Sequence, residues 1–198
     1  MILNYLLKIF QILIVLFVYT SALFDHIDVV NLFDYESDVF FEILEPEELR
    51  YTYRVRPATN FGVPLNDTIE MFSTKLVPTE PPFCCSPPEN AFQLMGNIAL
   101  VERGKCTFKK KAIHAEEAGA VGIIITDYDY NSDVYIDMLD DESVRQTSIS
   151  AAFLLGKNGF VIRSTLKKLN LEYAEINIPL NLTKIGVHKK RQPPWLLW

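Results

Sequence analysis

A strand–helix–strand pattern between residues 97 and 127 constrains the fold of this chain more than any other feature. The apolar runs NIALVER (97–103) and GAVGIIITD (119–127) indicate buried strands. The intervening segment is typical of a helix that opens at Cys106 or Thr107 and stops at Gly119. Its apolar residues recur on one face: Phe108, Ala112, Ala115 and Ala118. Strands joined in this way pair in parallel through a right-handed crossover, so the pattern predicts an α/β or α+β domain.

Further strands and a second helix are predicted around this unit. Strand-like runs occupy 39–44, 50–55, 149–156 and 171–182. A helix is predicted over 158–170, with an apolar face that carries Phe160, Ile162, Leu166 and Leu169. Six prolines between residues 60 and 90 favour loop and short strand over helix there. This arrangement of short strands with two helices does not fit a doubly wound nucleotide-binding fold.

The N-terminus has the pattern of a secretory signal peptide. Residues 1–22 carry one charge and an apolar run, and the small residues Thr20 and Ala22 predict cleavage after Ala22. The alternative is an uncleaved signal anchor. No later apolar run is long enough to span a bilayer, so no stable membrane insertion is expected after cleavage. The 198 residues suffice for one domain with appendages, and a net charge of −6 without a basic stripe argues against nucleic-acid binding.

The cysteines and glycosylation sequons also suit the secretory pathway. Adjacent cysteines pair poorly with each other, so Cys106 is expected to bond to either Cys84 or Cys85, leaving one thiol over. That thiol is buried, or it forms an intermolecular disulfide. Asn66 and Asn181 begin N-x-[ST] sequons and are predicted to carry glycans, with Asn181 the stronger candidate because it follows a strand-like run near the C-terminus.

Motifs for catalysis and for metal or cofactor binding are not evident. His26, His114 and His188 are far apart and lack ligand spacing. The run DYDYNSD (127–133) imitates the first half of a calcium loop but lacks the glycine and bidentate glutamate that such a loop requires. We expect a solvated acidic loop, extended by Asp137, Asp140, Asp141 and Glu142, that could recognise a basic partner segment. Neither a metal nor a cofactor is expected.

The C-terminal segment HKKRQPPWLLW joins a basic cluster to an apolar end. Lys189–Arg191 resembles a dibasic processing site, although such short runs are usually just solvated. The residues 195–198 are too apolar to remain free in water, so they either fold back onto the domain or form a docking patch.

Four segments together resemble the protease-associated (PA) domain family over roughly residues 65–180. They are IALVERGKCTF (98–108), the helix after it, AVGIIITD (120–127) and SAAFLLGKNGFVI (150–162). The family usually has two glycines before the cysteine, whereas this chain has Gly104-Lys105-Cys106. The resemblance implies an α+β fold, a β-sandwich-like open barrel of short strands with two or more flanking α-helices. It also implies Cys85 as the partner of Cys106, with Cys84 the extra cysteine.

The resemblance implies a domain organisation and a function. Residues 1–22 would be the signal peptide, 23–64 an N-terminal extension that contributes strands, 65–180 the PA domain, and 181–198 a C-terminal tail. PA domains generally act without catalysis, as lids, recognition surfaces or interaction modules. We therefore expect a secreted, non-enzymatic glycoprotein that binds an unidentified protein or peptide in a groove between the 127–148 loop and the 60–90 segment. The alternatives are a divergent hydrolase that binds a metal through Asp127, Asp129 and Asp133, and a lumenal sorting factor.

Overall fold

The computed structural model describes residues 38–65, 71–180 and 191–196, together with positions 11 and 14. By compactness the chain divides into Met1–Asp38 and Val39–Trp198, and the geometry below concerns the second unit. The predicted signal peptide (1–22), Asn66, Asn181 and the basic pair 189–190 lie outside the described residues, apart from positions 11 and 14. Among the residues described, no helix combines the length and apolar character needed to cross a bilayer.

Seven strands, three α-helices and a short 3-10 helix make up the described part of the second unit. The strands are β1 (Val39–Glu45), β2 (Thr52–Pro57), β3 (Met71–Pro78), β4 (Ile98–Glu102), β5 (Gly122–Thr126), β6 (Ser150–Leu154) and β7 (Ala174–Ile178). The helices are α1 (Ala91–Leu94), α2 (Phe108–Glu117) and α3 (Gly156–Leu169), and the 3-10 helix is Glu47–Leu49.

The strands form a closed barrel in the order β1-β2-β6-β5-β4-β3-β7. Strands β3, β4, β5 and β6 pair in parallel, which confirms the parallel pairing predicted from the strand–helix–strand pattern. The remaining pairs are antiparallel, and β1 closes the barrel against β7. The observed α+β barrel with flanking helices is the kind that the family resemblance implies, with its seam closed rather than open.

The seam between β1 and β7 extends beyond the paired strands. The backbone N–H of Leu180 donates to the carbonyl of Phe40 at 2.7 Å, just past the end of β7. The Asn177 side chain donates to Glu42 Oε1 at 3.0 Å and accepts from the backbone N–H of Ser73 at 3.0 Å, so it ties β1, β7 and β3 together. The first and last strands of the barrel therefore hold each other in place.

The central strands β4, β5 and β6 are mostly apolar because both of their faces are buried. Alternate residues of β4 belong to different clusters, with Ile98 and Leu100 on one face and Ala99 and Val101 on the other. The first cluster contains residues from all seven strands and includes Ile162 and Leu166 of α3. The second cluster packs the opposite face of the sheet against Ala112 and Ala115 of α2. The two helices therefore serve two separate cores.

Both predicted helices exist, but their buried faces differ from the prediction. Helix α2 begins after Thr107, whose hydroxyl accepts from the Lys110 N–H at 3.2 Å. Two of its lysines, Lys109 and Lys111, are fully buried, which the apolar pattern did not indicate. On α3 the prediction that Phe160 faces the core is wrong, since its side chain is 51% exposed.

The described part of the C-terminal segment folds back onto the barrel. The Thr52 N–H donates to the Arg191 carbonyl at 2.7 Å. The Trp195 ring lies edge-on to Tyr51 with 5.2 Å between centroids, and its indole N–H donates to Asn158 Oδ1 at 2.9 Å. Of the two alternatives for this apolar end, the structure shows the folded-back one for Trp195.

Candidate functional site

A cavity of about 260 Å³ opens where β4 and β5 end and α3 crosses them. We call it the strand-end cavity. It lies at the carboxyl ends of parallel strands, the edge of α/β sheets where ligands usually bind. Its lining residues come from these two strands, the segment after β5 and one face of α3: Glu102, Thr126, Asp127, Tyr128, Tyr130, Phe160, Arg163, Ser164 and Lys167. None of them comes from the 60–90 segment, where one wall of the binding groove was expected.

Two glycines of α3 allow the helix to lie close to the floor of the strand-end cavity. A Cβ at Gly159 would stand 2.5 Å from the Thr126 Cβ and 2.7 Å from its Oγ1, far inside van der Waals contact. A Cβ at Gly156 would overlap the Asp129 carbonyl oxygen. Larger residues at either position would push α3 away from β5 and change the shape of the cavity.

The charged groups of the strand-end cavity are mostly paired. Arg103 Nη1 lies 2.9 Å from Oδ2 of the buried Asp127. Arg163 donates to the Leu100 carbonyl and has its Nε 3.6 Å from Glu102 Oε1. This Nε–H is buried and finds no hydrogen-bond acceptor among the described residues. Burial lowers the pKa of the Arg163 guanidinium, and the charge of Glu102 opposes that shift.

The exposed mouth of the strand-end cavity is aromatic. Tyr128, Tyr130 and Phe160 are 60%, 55% and 51% exposed. The Tyr130 and Phe160 rings pack with their centroids 5.0 Å apart, and the Arg103 guanidinium lies 5.6 Å from the Tyr128 ring centroid. Exposed aromatic side chains grouped at a concave site are typical of protein recognition surfaces. We call these three residues the aromatic rim.

The helical part of this site could have been found in the sequence. Positions 160, 163, 164 and 167 are spaced so that they share one face of a helix. The periodicity of the segment predicts a core position for Phe160, although its side chain is exposed at the cavity. The opposing wall depends on the close approach of α3 to β5, for which the sequence gives no local signal.

The predicted acidic loop uses several of its carboxylates within the chain. The buried Lys109 ammonium lies 2.8 Å from Asp140 Oδ1 and 2.7 Å from the Ser143 carbonyl. Hydrogen bonds from Ser143 and Thr107 lower the pKa of Asp141 to about 2. These carboxylates attach the loop to α2 and are not free to form the acidic recognition surface that the sequence suggested.

The C-terminal half of the same loop is anchored by Glu116. Its carboxylate accepts hydrogen bonds from Thr147 Oγ1 at 2.8 Å and from the backbone N–H of Ser148 at 3.0 Å. Burial alone would raise the pKa of Glu116, but these hydrogen bonds outweigh it and the pKa is lowered. Farther along α2, Arg145 pairs with Glu117. The loop after β5 is therefore held along the length of α2.

The calcium-like run makes turns within the loop. Asp127 Oδ1 accepts from the Asp129 N–H at 3.2 Å, and Asp129 Oδ1 accepts from the Asn131 N–H at 2.9 Å. Within the described ranges, no three or more His, Cys, Asp or Glu side chains are grouped to hold a metal ion. Of the histidines, His114 contacts Glu117 at 3.2 Å, while His26 and His188 lie outside those ranges.

A disulfide joins Cys85 to Cys106, the pairing that the family resemblance implied, and Cys84 is a buried free thiol. The fully buried Lys111 reaches from α2 to this bridge. Its Nζ lies 2.5 Å from the Phe83 carbonyl, 2.7 Å from the Gly104 carbonyl and 3.5 Å from Cys85 Sγ. No local signal in the sequence marks Lys111, because its three acceptors belong to other segments.

Comparisons of the sequence with known proteins identify the family to which this barrel belongs. A family model for the PA domain matches residues 72–162. A PRADC1-like protein from Drosophila melanogaster is 49% identical over 165 residues, which cover 82% of this chain and 83% of that protein. The chain belongs to the PA-domain family. This match confirms the resemblance to protease-associated domain-containing protein 1 that the sequence suggests at the segments 33–46, 80–85 and 192–195.

Other relatives of this PA-domain protein are much longer. Human ER degradation-enhancing alpha-mannosidase-like protein 3 is 32% identical over 102 residues, which are 49% of this chain and 10% of that protein. An aminopeptidase from Aneurinibacillus sp. strain AM-1 superposes with a TM-score of 0.50 and 19% sequence identity, covering 70% of this chain and 29% of that one. This structural likeness concerns the fold alone.

Proposed function

We propose that this PA-domain protein is a non-catalytic interaction module that binds a protein or peptide at the strand-end cavity. The observation that carries the proposal is the aromatic rim, three half-exposed rings around a cavity whose floor is closely packed against α3. A cavity of about 260 Å³ is at the small end for ligand sites, which suits one or two side chains of a peptide better than a whole cofactor. Membership of the PA-domain family supports the same role.

The charges of the site favour an occupant with an acidic group. Glu102 and Asp127 each lie beside an arginine, and no ion pair to Lys167 is found among the described residues. The Lys167 ammonium therefore leaves a small excess of positive charge at one wall of the cavity. We propose a peptide segment with an apolar side chain against the aromatic rim and a carboxylate near Lys167.

Selection of random peptides displayed on phage against the full-length protein tests this function. Enriched peptides should bind wild type saturably and lose at least tenfold in affinity on Phe160→Ala, since aromatic anchors dominate such interfaces. The matched control is Phe92→Ala, because Phe92 is also exposed but belongs to α1 and does not line the cavity. Equal losses in both variants, or no enrichment, would contradict the proposal.

We further propose that the protein is secreted after cleavage behind Ala22, with glycans on Asn66 and Asn181, and that its structural domain extends from β1 through residue 180. The disulfide supports an oxidising compartment, because such bonds persist there. Intact mass of the secreted protein, before and after glycosidase treatment, checks cleavage and both glycans. A mass that includes residues 1–22 would contradict cleavage.

The hydrolase alternative has no supporting group of ligands among the described residues. Metal analysis of the purified protein together with a peptidase substrate screen tests it directly. Stoichiometric metal with turnover would replace the non-catalytic proposal. The sorting alternative is tested by the location of a tagged full-length protein, since a sorting factor would be retained in the lumen.

A further inference from the structure

We propose that the Cys85–Cys106 disulfide is a thiol-exchange site, in which an external low-molecular-weight thiol attacks Cys106 Sγ and Cys85 leaves as a thiolate. The site lies at the turns 83–85 and 104–106, and its residues do not line the strand-end cavity. Binding at the strand-end cavity and exchange at this bridge can therefore be tested separately.

The asymmetry of the bridge comes from Lys111. Its Nζ lies 3.5 Å from Cys85 Sγ, and its other two short contacts are to neutral carbonyl oxygens. No carboxylate forms an ion pair with this ammonium in the described part of the chain, so its charge is not neutralised by a direct partner. A cation beside one sulfur stabilises the thiolate formed there.

Thiolate stability at Cys85 decides which sulfur is attacked. The external thiolate RS⁻ forms a bond to Cys106 Sγ, and the Cys85–Cys106 bond breaks at the same time. The electron pair of the broken bond goes to Cys85 Sγ, beside Lys111. A leaving thiol with a lower pKa leaves faster, so attack at Cys106 is favoured over attack at Cys85. A second RS⁻ attacking the RS–Cys106 bond gives RSSR and two reduced cysteines.

The surroundings allow an external thiol to reach the bridge. Cys85 and Cys106 are both partly exposed, and the residue between Gly104 and Cys106 is the exposed Lys105. Lys105 lies over the Phe83 ring, 4.0 Å from its centroid, and so places a positive charge over the turn 83–85 of the bridge. An anionic thiol such as glutathione is therefore attracted to this side of the molecule.

The neighbouring Cys84 does not compete in this chemistry. Its thiol is fully buried, and burial raises its pKa to about 11, so almost no thiolate forms at neutral pH. Burial lowers the pKa of Lys111 to about 8, partly offset by Cys84 and Glu102, and the side chain is still mostly an ammonium at pH 7. The thiolate-stabilising charge is thus present under the conditions where exchange would occur.

Incubation of the folded full-length protein with reduced glutathione at pH 7, followed by acid quench and peptide mass spectrometry, tests the proposal. Glutathione is expected on Cys106. Its presence on Cys85 or Cys84, or exchange only after denaturation, would overturn the assignment. The location of the adduct in wild type needs no variant, so it stays informative even if a substitution impairs folding.

A pair of lysine variants tests the role of the ammonium. Lys111→Met should slow formation of the mixed disulfide about tenfold, because the leaving Cys85 thiolate would lose its neighbouring positive charge. Lys110→Met is the control, because Lys110 is the exposed neighbour on α2. Lys111→Arg keeps a positive charge and should retain part of the rate. Equal rates for all four proteins would overturn the role given to Lys111.

Discussion

The buried Lys109 should be one of the most stabilising polar side chains of the fold. Its ammonium donates hydrogen bonds to Asp140 and to the Ser143 carbonyl, which lie more than thirty residues later in the sequence. Asp141 lies 3.8 Å from the same ammonium. Lys109→Met keeps the length and most of the packing of the side chain while removing these contacts. The substitution therefore isolates the polar attachment of the loop after β5 to α2.

The expected loss in the free energy of unfolding follows from how deeply the lysine and its two aspartate partners are buried. Breaking a buried ion pair costs about 3–5 kcal/mol when the remaining charge stays buried. Here the lysine is fully buried, but the Asp140 and Asp141 side chains are 24% and 20% exposed, so water can solvate them after the substitution. We expect a loss at the lower end, about 3 kcal/mol, for Lys109→Met. Lys110→Met, one residue away and exposed, should change stability by less than about 0.5 kcal/mol.

Equilibrium urea unfolding measures both variants, and native-state hydrogen exchange shows where the change occurs. Amides of residues 139–148 should lose protection in Lys109→Met, whereas those of β4 and β5 should follow the global stability alone. Combining Lys109→Met with Asp140→Asn should cost less than the sum of the single losses, because the two substitutions remove one interaction. Equal unfolding midpoints for Lys109→Met and Lys110→Met would refute the reasoning.

Three further predictions concern helix α3, the loop after β5 and the C-terminal segment. Gly159→Ala should destabilise the protein by about 1–3 kcal/mol, since a Cβ there would stand 2.5 Å from the Thr126 Cβ; an unchanged urea midpoint would contradict that packing. Because the pKa of Asp141 is lowered to about 2, its stabilisation is complete above about pH 4 and is lost as the pH falls to about 2. The stability of Asp141→Asn should not show this loss between about pH 4 and pH 2. If the stability of wild type and of Asp141→Asn falls in parallel over that range, the role given to Asp141 is wrong. Trp195→Ala should lower the free energy of unfolding by about 2 kcal/mol, because the half-buried ring loses its packing and the buried Asn158 loses its indole donor. Trp195→Phe should restore part of the melting temperature. If Trp195→Ala leaves stability unchanged, the C-terminal segment is not bound to the barrel.

The central part of the fold is predictable because its signals are local. The apolar run of β5, GIIIT, is buried at every position, and the helix before it has a hydroxyl cap at Thr107 and a stop at Gly119. These features give a parallel βαβ unit without reference to the rest of the chain. The pairing of β1 with β7 that closes the barrel is harder to predict from the sequence, since the two strands are separated by well over a hundred residues.

The buried lysines and the strand-end cavity could not be predicted for the same physical reason. A lysine in an amphipathic helix indicates a solvated face unless its partners are known. The partners of Lys109 come from a loop 31 residues away, and those of Lys111 include the Phe83 carbonyl 28 residues earlier. Phe160 has the periodicity of a core residue, yet it stands at the mouth of a cavity that α3 and the β5 loop form together.

The seam between β1 and β7 also determines how this unit can be combined with other domains. The strand that enters the barrel and the strand that leaves it are antiparallel neighbours, and Phe40 and Leu180 share a hydrogen bond at that point. A host protein can therefore carry such a barrel within a surface loop while its own chain resumes close to where it left. A fragment cut at residues 72 and 162 would lack β1, β2 and β7, so transplantation of this module should use the boundaries set by the seam.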